Sequence, residues 1–431
     1  MRSESLDTHN NRMNRHSFYH RLWAFFGSII YRFPSKKLYV VGVTGTKGKS
    51  TTVELMGALF EATGAKTAVL SSVTRKIGRK KERNLTGNSM PGRAAIQQFL
   101  REAVREGCTH AFIEVTSQGV VQHRHECIEW DAAAFLNLAP EHIEAHGSFE
   151  AYRDAKVSFF AYAARSPKKK KLFLVNEADS AHTHFEEAAK HHYGNTIIRF
   201  SGESFLREGL GNHFDLRSEK TQKKLGEWLF AEFNLENAAA AVALAEANGA
   251  SWEEIGEALS GFKGVPGRLE VVQRKPFTVI VDYAHTPDSL RKVYMTAKRD
   301  YMDNPTGGSL IAVLGSAGGG RDKWKRAEMG RIAGTLCTEI VLTNEDPYDE
   351  PPEEIVSGIK EGILHAGFPV THLHKEMDRR AAIRKALALA KKGDAVVCTG
   401  KGSELWVHEA EGKKVPWNER EEVEAALGDE V

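Results

Sequence analysis

The stretch from Leu38 to Thr52, LYVVGVTGTKGKSTT, constrains the fold more than any other part of the chain. An apolar run of strand length enters a glycine-spaced turn, and Lys-Ser-Thr follows at what reads as a helix start. Glycines let successive backbone N–H groups turn toward an anion, and the helix that follows adds its positive end. The complete Walker A spacing has a glycine five residues before Gly48, where this chain has Val43. The shortened loop Gly45, Thr46, Lys47, Gly48, Lys49, Ser50 and Thr51 still reads as a nucleotide-binding candidate. Lys49 is expected on the β and γ phosphates, and the hydroxyl of Ser50 or Thr51 on Mg²⁺. A glycine turn that binds nothing is the plainer alternative.

From residue 38 onward, short β-rich runs alternate with helical stretches: LYVVGVTG, TTVELMGALFEATGA, KTAVLSS, AAIQQFLREAVREGC, HAFIEVTS and AAAFLN. That alternation predicts an α/β fold with a parallel sheet and helices on both faces. Residues 167–232 change character: PKKKK reads as a solvated turn, and LFLVN, TIIRF and HFDLR read as short strands. After Gly264-Val265-Pro266-Gly267 breaks both periods, a second β/α series begins with FTVIVDYAH, LIAVLGSAGGG, EIVLTNEDP and AVVCTGKGSELW. The expected organisation is a helical extension over 1–36, rich in aromatic and basic residues, a central ATP-binding domain over 37–266 and a smaller Rossmann-like domain over 267–431.

A formal charge of +2 and 27% charged residues call for no nucleic-acid partner. The four cysteines, Cys108, Cys127, Cys337 and Cys398, form no C-x-x-C pair, so neither zinc nor a disulfide framework is suggested and a reducing cytoplasm fits. Near the start, FYHRLWAFFGSIIYRFP is too short to span a bilayer and no small-residue cleavage site follows it. Its apolar residues do not read as confined to one face, so a helix packed on the first domain is expected, with membrane contact through this segment as the alternative.

Further blocks extend the pattern: EVTSQG at 114–119, NLAPEHIEAHGSFEAYRDAK at 137–156, NLENAAAA from 234, GVPGRLE from 264, DYAHTPDSL from 282, LGSAGGGRDKWKR from 314 and GKGSE from 400. With the TGTKGKST loop, and in this order, they resemble the Mur ligase superfamily, nearest to its MurE branch, over about residues 37–407. The resemblance implies ATP-dependent amide-bond formation: the γ-phosphoryl of ATP passes to an acceptor carboxylate, and an amino acid amine displaces phosphate from the acyl phosphate. It implies Mg²⁺, two ions in all, one on Ser50 and Glu114 and a second involving Glu114 and His142. It also implies that Lys156 is carbamylated by CO₂, which would turn a cation that repels metals into an oxygen ligand. Lys49, Glu114, His142 and Lys156 would then be the catalytic set. Asn237, Arg268, Asp282 and His285 would contact the nucleotide as the domains close. Arg321, Lys323 and Arg326 are candidate anion binders, and Asp346, Lys401 and Glu404 candidate grips for the amino acid.

Several positions depart from the MurE pattern. Only about 36 residues precede the loop region, so the UDP-binding module of that branch is expected to be missing. Glu345-Asp346-Pro347-Tyr348 stands where Asp-Asn-Pro-Arg would select diaminopimelate, and tyrosine offers no bidentate fork. Ser403 and Gln118 each replace a histidine. The amino acid and the carboxylate-bearing acceptor, with a UDP-linked muramyl peptide as one candidate, therefore stay open. A folylpolyglutamate or poly-γ-glutamate type ligase and a non-catalytic ATP-binding subunit are the alternatives.

Overall fold

The computed structural model describes residues 21–92, 94–190, 192–302, 308–320 and 322–428. They divide into two compact units, one running to Pro140 and again over Gly147–Lys263, the other over Glu141–His146 and from Gly264 onward.

The first unit is built on strands β1 (Tyr39–Thr44), β2 (Thr67–Leu70), β3 (Thr74–Ile77), β4 (Lys80–Arg83), β5 (His110–Glu114), β6 (Ala132–Phe135), β7 (Lys171–Asn176) and β8 (Asn195–Phe200). Their order across the sheet is β4-β3-β2-β5-β1-β6-β7-β8. All pairings from β2 to β8 are parallel, and β3 and β4 extend one edge antiparallel. β1 is buried from Val40 to Thr44, as expected for a strand covered on both faces. Val41 and Val43 join a core with Val53, Leu55 and Leu244, under the helices Lys49–Ala62 and Glu232–Ala247. Val40 on the opposite face meets a second core with Trp130, Phe159 and Phe160, under the helix Phe149–Ala164. This alternation is the period of two that a strand imposes.

The second unit carries β9 (Glu270–Gln273), β10 (Thr278–Asp282), β11 (Leu310–Leu314), β12 (Glu339–Leu342), β13 (Leu373–Lys375) and β14 (Ala395–Thr399), in the order β13-β12-β11-β14-β10-β9. All these strands pair parallel except β9, which runs antiparallel to β10. The parallel strands send their carboxyl ends toward one edge, where ligand loops collect in open α/β sheets.

Two local expectations are corrected. HFDLR is a helix end running into a loop, not a strand: His213 closes the short helix Gly211–His213, Asp215 accepts from the backbone N–H of Arg217 at 3.2 Å, and Phe214 and Leu216 drop onto the first core instead of pairing. Near the start, residues 21–30 are helical, while residues 1–20 of the expected extension lie outside the described residues. This helix does have a one-sided distribution, with small residues inward and large apolar ones outward. Ala24 and Ser28 are buried, whereas Phe25, Phe26, Ile29 and Ile30 are exposed. Among the described residues, no helix is long and apolar enough to cross a membrane.

Candidate active site

The carboxyl end of β1 opens directly into the glycine loop. Gly48 caps the helix Lys49–Ala62 at φ 86°, a left-handed conformation that a side chain would strain, and a Cβ there would come within 2.0 Å of Asn237 Oδ1. The loop is tied down by a residue just past the neighbouring strand β6: Asn137 O accepts from Thr46 N at 2.9 Å, and its side-chain Oδ1 accepts from Lys47 N, also at 2.9 Å. Asn237 forms part of the floor, donating to Asn234 Oδ1 at 3.2 Å.

At the head of the helix, Ser50 Oγ donates to Glu114 Oε2 at 2.9 Å, and the same oxygen accepts from Ser72 N at 2.9 Å. Glu114 ends β5, the neighbour of β1, with Val43 paired opposite it. Lys49 Nζ stands 3.9 Å from Glu114 Oε1 and donates to the carbonyls of Gly45 and Thr46, both at 3.0 Å. Thr51 sits buried in the same first turn. A cation, a hydroxyl and a carboxylate thus surround the mouth of a loop whose backbone suits phosphate.

Lys156 reaches this loop from the helix Phe149–Ala164. The residue is 1% exposed, and its ammonium donates to Gly45 O at 2.7 Å and lies 4.7 Å from the centre of the Tyr152 ring. Tyr152 in turn holds Thr46, hydroxyl to hydroxyl, at 3.1 Å.

Hard oxygen donors suit Mg²⁺, which keeps several waters and needs few protein ligands, so the Ser50 and Glu114 pair fits one such ion. Among the described residues, no group of three or more His, Cys, Asp or Glu side chains comes together as a metal site. His142 goes with the second unit, where its backbone N–H donates to Asp322 Oδ2 at 3.4 Å.

In the second unit, the loops after β10, β12 and β14 converge. Lys401, wholly buried, donates to Asp346 Oδ1 at 2.8 Å, to Glu404 Oε2 at 2.5 Å and to Trp406 O at 2.8 Å. An ammonium has three N–H donors, and all are used. Lys401 thus aligns the two carboxylates. Glu404 also accepts from the Tyr283 hydroxyl at 3.1 Å, and the Arg268 guanidinium lies 4.3 Å from the centre of that ring. The two oxygens of Asp282 accept from the backbone N–H groups of Leu269 at 2.6 Å and Ala284 at 2.7 Å, tying the turn before β9 to the end of β10. His285 bridges Tyr283 O at 2.7 Å and Glu141 Oε1 at 3.0 Å.

Tyr348 stacks on His408, centroids 5.0 Å apart and planes 14° from parallel. The Arg326 guanidinium is held by Glu350 through bonds of 2.7 and 2.9 Å, which with Lys323 at 3.1 Å pulls that carboxyl down to about 2. Burial pushes Glu345 the other way, up to about 7. Arg321 lies outside the described residues.

Three residues of the loop's surroundings, Ser72, Asn137 and Tyr152, were not singled out by sequence. Asn137 and Tyr152 stand inside the NLAPEHIEAHGSFEAYRDAK block, which was the available signal. Ser72 gives its backbone N–H to Glu114 and its hydroxyl meets that of Ser50 at 3.1 Å, but as one serine at the end of KTAVLSS it carries no distinguishing signal.

Comparison with known proteins finds the Mur ligase middle domain over residues 43–245 and the Mur ligase glutamate ligase domain over 267–402. The UDP-N-acetylmuramoyl-L-alanyl-D-glutamate--2,6-diaminopimelate ligase of Halalkalibacterium halodurans is 34% identical over 381 residues, covering 87% of this chain and 76% of the relative. The UDP-N-acetylmuramyl-tripeptide synthetase of a Roseiflexus species is 34% identical, covering 93% and 80%. Among solved structures, a diaminopimelate ligase of the same kind matches with a TM-score of 0.58 at 27% identity, covering 91% of this chain and 79% of that one. The folylpolyglutamate synthase of Mycobacterium tuberculosis matches with a TM-score of 0.64 at 14% identity, covering 88% and 92%, a likeness of fold alone.

Proposed function

The chain belongs to the Mur ligase family and is an ATP-dependent, ADP-forming ligase, and from that premise we propose how its residues divide the work and what they act on. The loop Gly45–Thr51 holds the ATP phosphates with its backbone N–H groups, and Lys49 neutralises charge on the transferring phosphoryl group. Ser50 and Glu114 hold a Mg²⁺ ion, which when bound offsets charge on the phosphate oxygens. The single observation that carries this reading is the 2.9 Å bond between Ser50 and Glu114 beside the Lys49 ammonium.

An acceptor carboxylate attacks the γ-phosphorus and ADP leaves. The amine then adds to the acyl phosphate carbon, phosphate leaves, and the amine loses its proton. Lys156 is the residue we propose for carbamylation, because its nitrogen reaches the loop from a dry site and an uncharged amine is the form that reacts with CO₂. Asp346 and Glu404, aligned by Lys401, receive the ammonium of the incoming amino acid.

The acceptor we propose is a carboxylate-bearing muramyl peptide, UDP-linked in the first instance, as in the names of the relatives. For the amino acid, the stacked Tyr348 argues against a distal carboxylate that needs an arginine fork. We propose a monocarboxylic amino acid. A cytoplasmic setting, where ATP is available and the four free thiols stay reduced, completes the reading.

The test is phosphate release from ATP with UDP-muramoyl dipeptide and a panel of amino acids. Turnover that depends on the acceptor and prefers a monocarboxylic amino acid is expected. Turnover with diaminopimelate above all others would overturn the amino acid assignment, and glutamate addition to folates alone would overturn the acceptor.

A further inference from the structure

The helix over residues 21–30 is built the wrong way round for a segment that only covers a core. Spacings of three and four residues put Ala24, Gly27 and Ser28 on one face, and that face is the one turned inward. The approach is close: a Cβ on Gly27 would stand 2.8 Å from Ala94 Cβ. The opposite face presents Phe25, Phe26, Ile29 and Ile30, which are 48, 51, 46 and 65% exposed. Soluble proteins scatter such side chains singly, whereas here four occupy one helical stripe.

The surroundings of this stripe are basic. Arg32 and Lys37 follow the helix, are exposed and make no ion pair among the described residues. Lys168, first of the lysine run, donates to Ser35 O at 3.1 Å and Leu38 O at 2.8 Å, which brings the exposed Lys169 and Lys170 beside the foot of the helix. The carboxylates nearby are already matched: Glu126 with Arg21 at 3.0 Å, Glu129 with Lys36 at 3.8 Å and Asp131 with Lys168 at 3.0 Å. Bulky apolar side chains backed by unmatched cations complement a surface that is apolar inside and anionic at its face.

We propose that this helix docks the enzyme on an anionic phospholipid surface, with Phe25, Phe26, Ile29 and Ile30 entering the boundary between headgroups and acyl chains and the lysines meeting the phosphates. The expectation of a helix merely packed on the first domain is thereby extended: its small face packs, and its large face is left for lipid.

The test is sedimentation of the full chain with vesicles of phosphatidylglycerol and phosphatidylcholine in equal parts, against vesicles of phosphatidylcholine alone. Binding to the anionic vesicles is expected, weakened by salt. The variant with Phe25, Phe26, Ile29 and Ile30 all changed to Ser should lose about tenfold or more in affinity while keeping its melting temperature and its ATP turnover with a soluble acceptor. Lys169→Glu with Lys170→Glu should weaken binding to the anionic vesicles alone. Failure of the wild type to bind anionic vesicles would overturn the proposal, as would a serine variant that binds unchanged. A dimer in sedimentation velocity that the serine variant dissolves, without vesicle binding by the wild type, would assign the face to a second copy instead.

Discussion

Ser50 Oγ and Glu114 Oε2 are joined at 2.9 Å across 64 positions of the chain, one at the head of a helix and the other at the end of the strand beside it. The pair offers two oxygen donors of the kind Mg²⁺ prefers. Ser50→Ala and Glu114→Gln should each raise the Mg²⁺ concentration for half-maximal turnover by about 10- to 100-fold. A magnesium titration with melting temperatures measured in parallel checks this. An unchanged midpoint in both variants would remove the metal assignment.

Lys156 is the next target. Lys156→Ala should lower turnover by about 100-fold or more. Added short carboxylic acids should restore part of it, because they bring an anionic oxygen to the space the side chain vacated. Wild-type activity should also fall in CO₂-depleted buffer and recover with bicarbonate. A wild type indifferent to CO₂ would argue for a plain ammonium at this position.

Gly48 carries a conformational demand separate from chemistry. Gly48→Ala places a side chain at φ 86° and against Asn237. The strain should cost about 1–3 kcal/mol of stability. Loss of nucleotide binding should accompany it, read by calorimetry with ATP. Asn237→Ala in the same background opens space and should recover part of the loss.

Glu345 sets a pH dependence. Burial raises its carboxyl from 4.5 to about 7. Between those values the folded protein holds a proton that the unfolded chain has released, so folding takes up a proton and stability falls as pH rises. The contribution is full below 4.5 and gone above about 7, on the order of 3 kcal/mol across the window. Chemical denaturation at a series of pH values should show this slope, and Glu345→Gln should flatten it. An identical slope in the variant would place the titration elsewhere.

Tyr348→Arg tests selection of the amino acid. Restoring a fork-shaped cation should raise kcat/KM for diaminopimelate relative to monocarboxylic amino acids, by about tenfold or more. No relative gain would mean that the stack on His408, not the missing guanidinium, governs the choice.

The chain's punctuation made the fold class legible. A strand running into glycines and then into a helix, repeated with β-rich runs, states a parallel sheet because each feature is local. Glu114 was legible for the same reason, as an acid where an apolar strand stops. What stayed hidden acts over distance or through the backbone. Ser72 meets Ser50, 22 positions away, hydroxyl to hydroxyl as well as giving its N–H to Glu114, and Asn137 braces a loop 90 positions away. Lys401 and Asp282 were legible through the GKGSE and DYAHTPDSL blocks, but the bonds by which one aligns two carboxylates and the other ties a turn to a strand end were not. In the helix at residues 21–30, counting apolar residues missed that size, not polarity, separates its faces.

The pairing of β1 with β5 and β6 has a wider consequence. Val43 faces Glu114 on one side, and Thr44 faces Phe135 on the other. A slip of one residue would swing the acid to the far side of the sheet. The place of the acid beside the loop is thus inherited from the backbone ladder of the central strands. Descendants of such a scaffold are free to change what they join while keeping how they energise it.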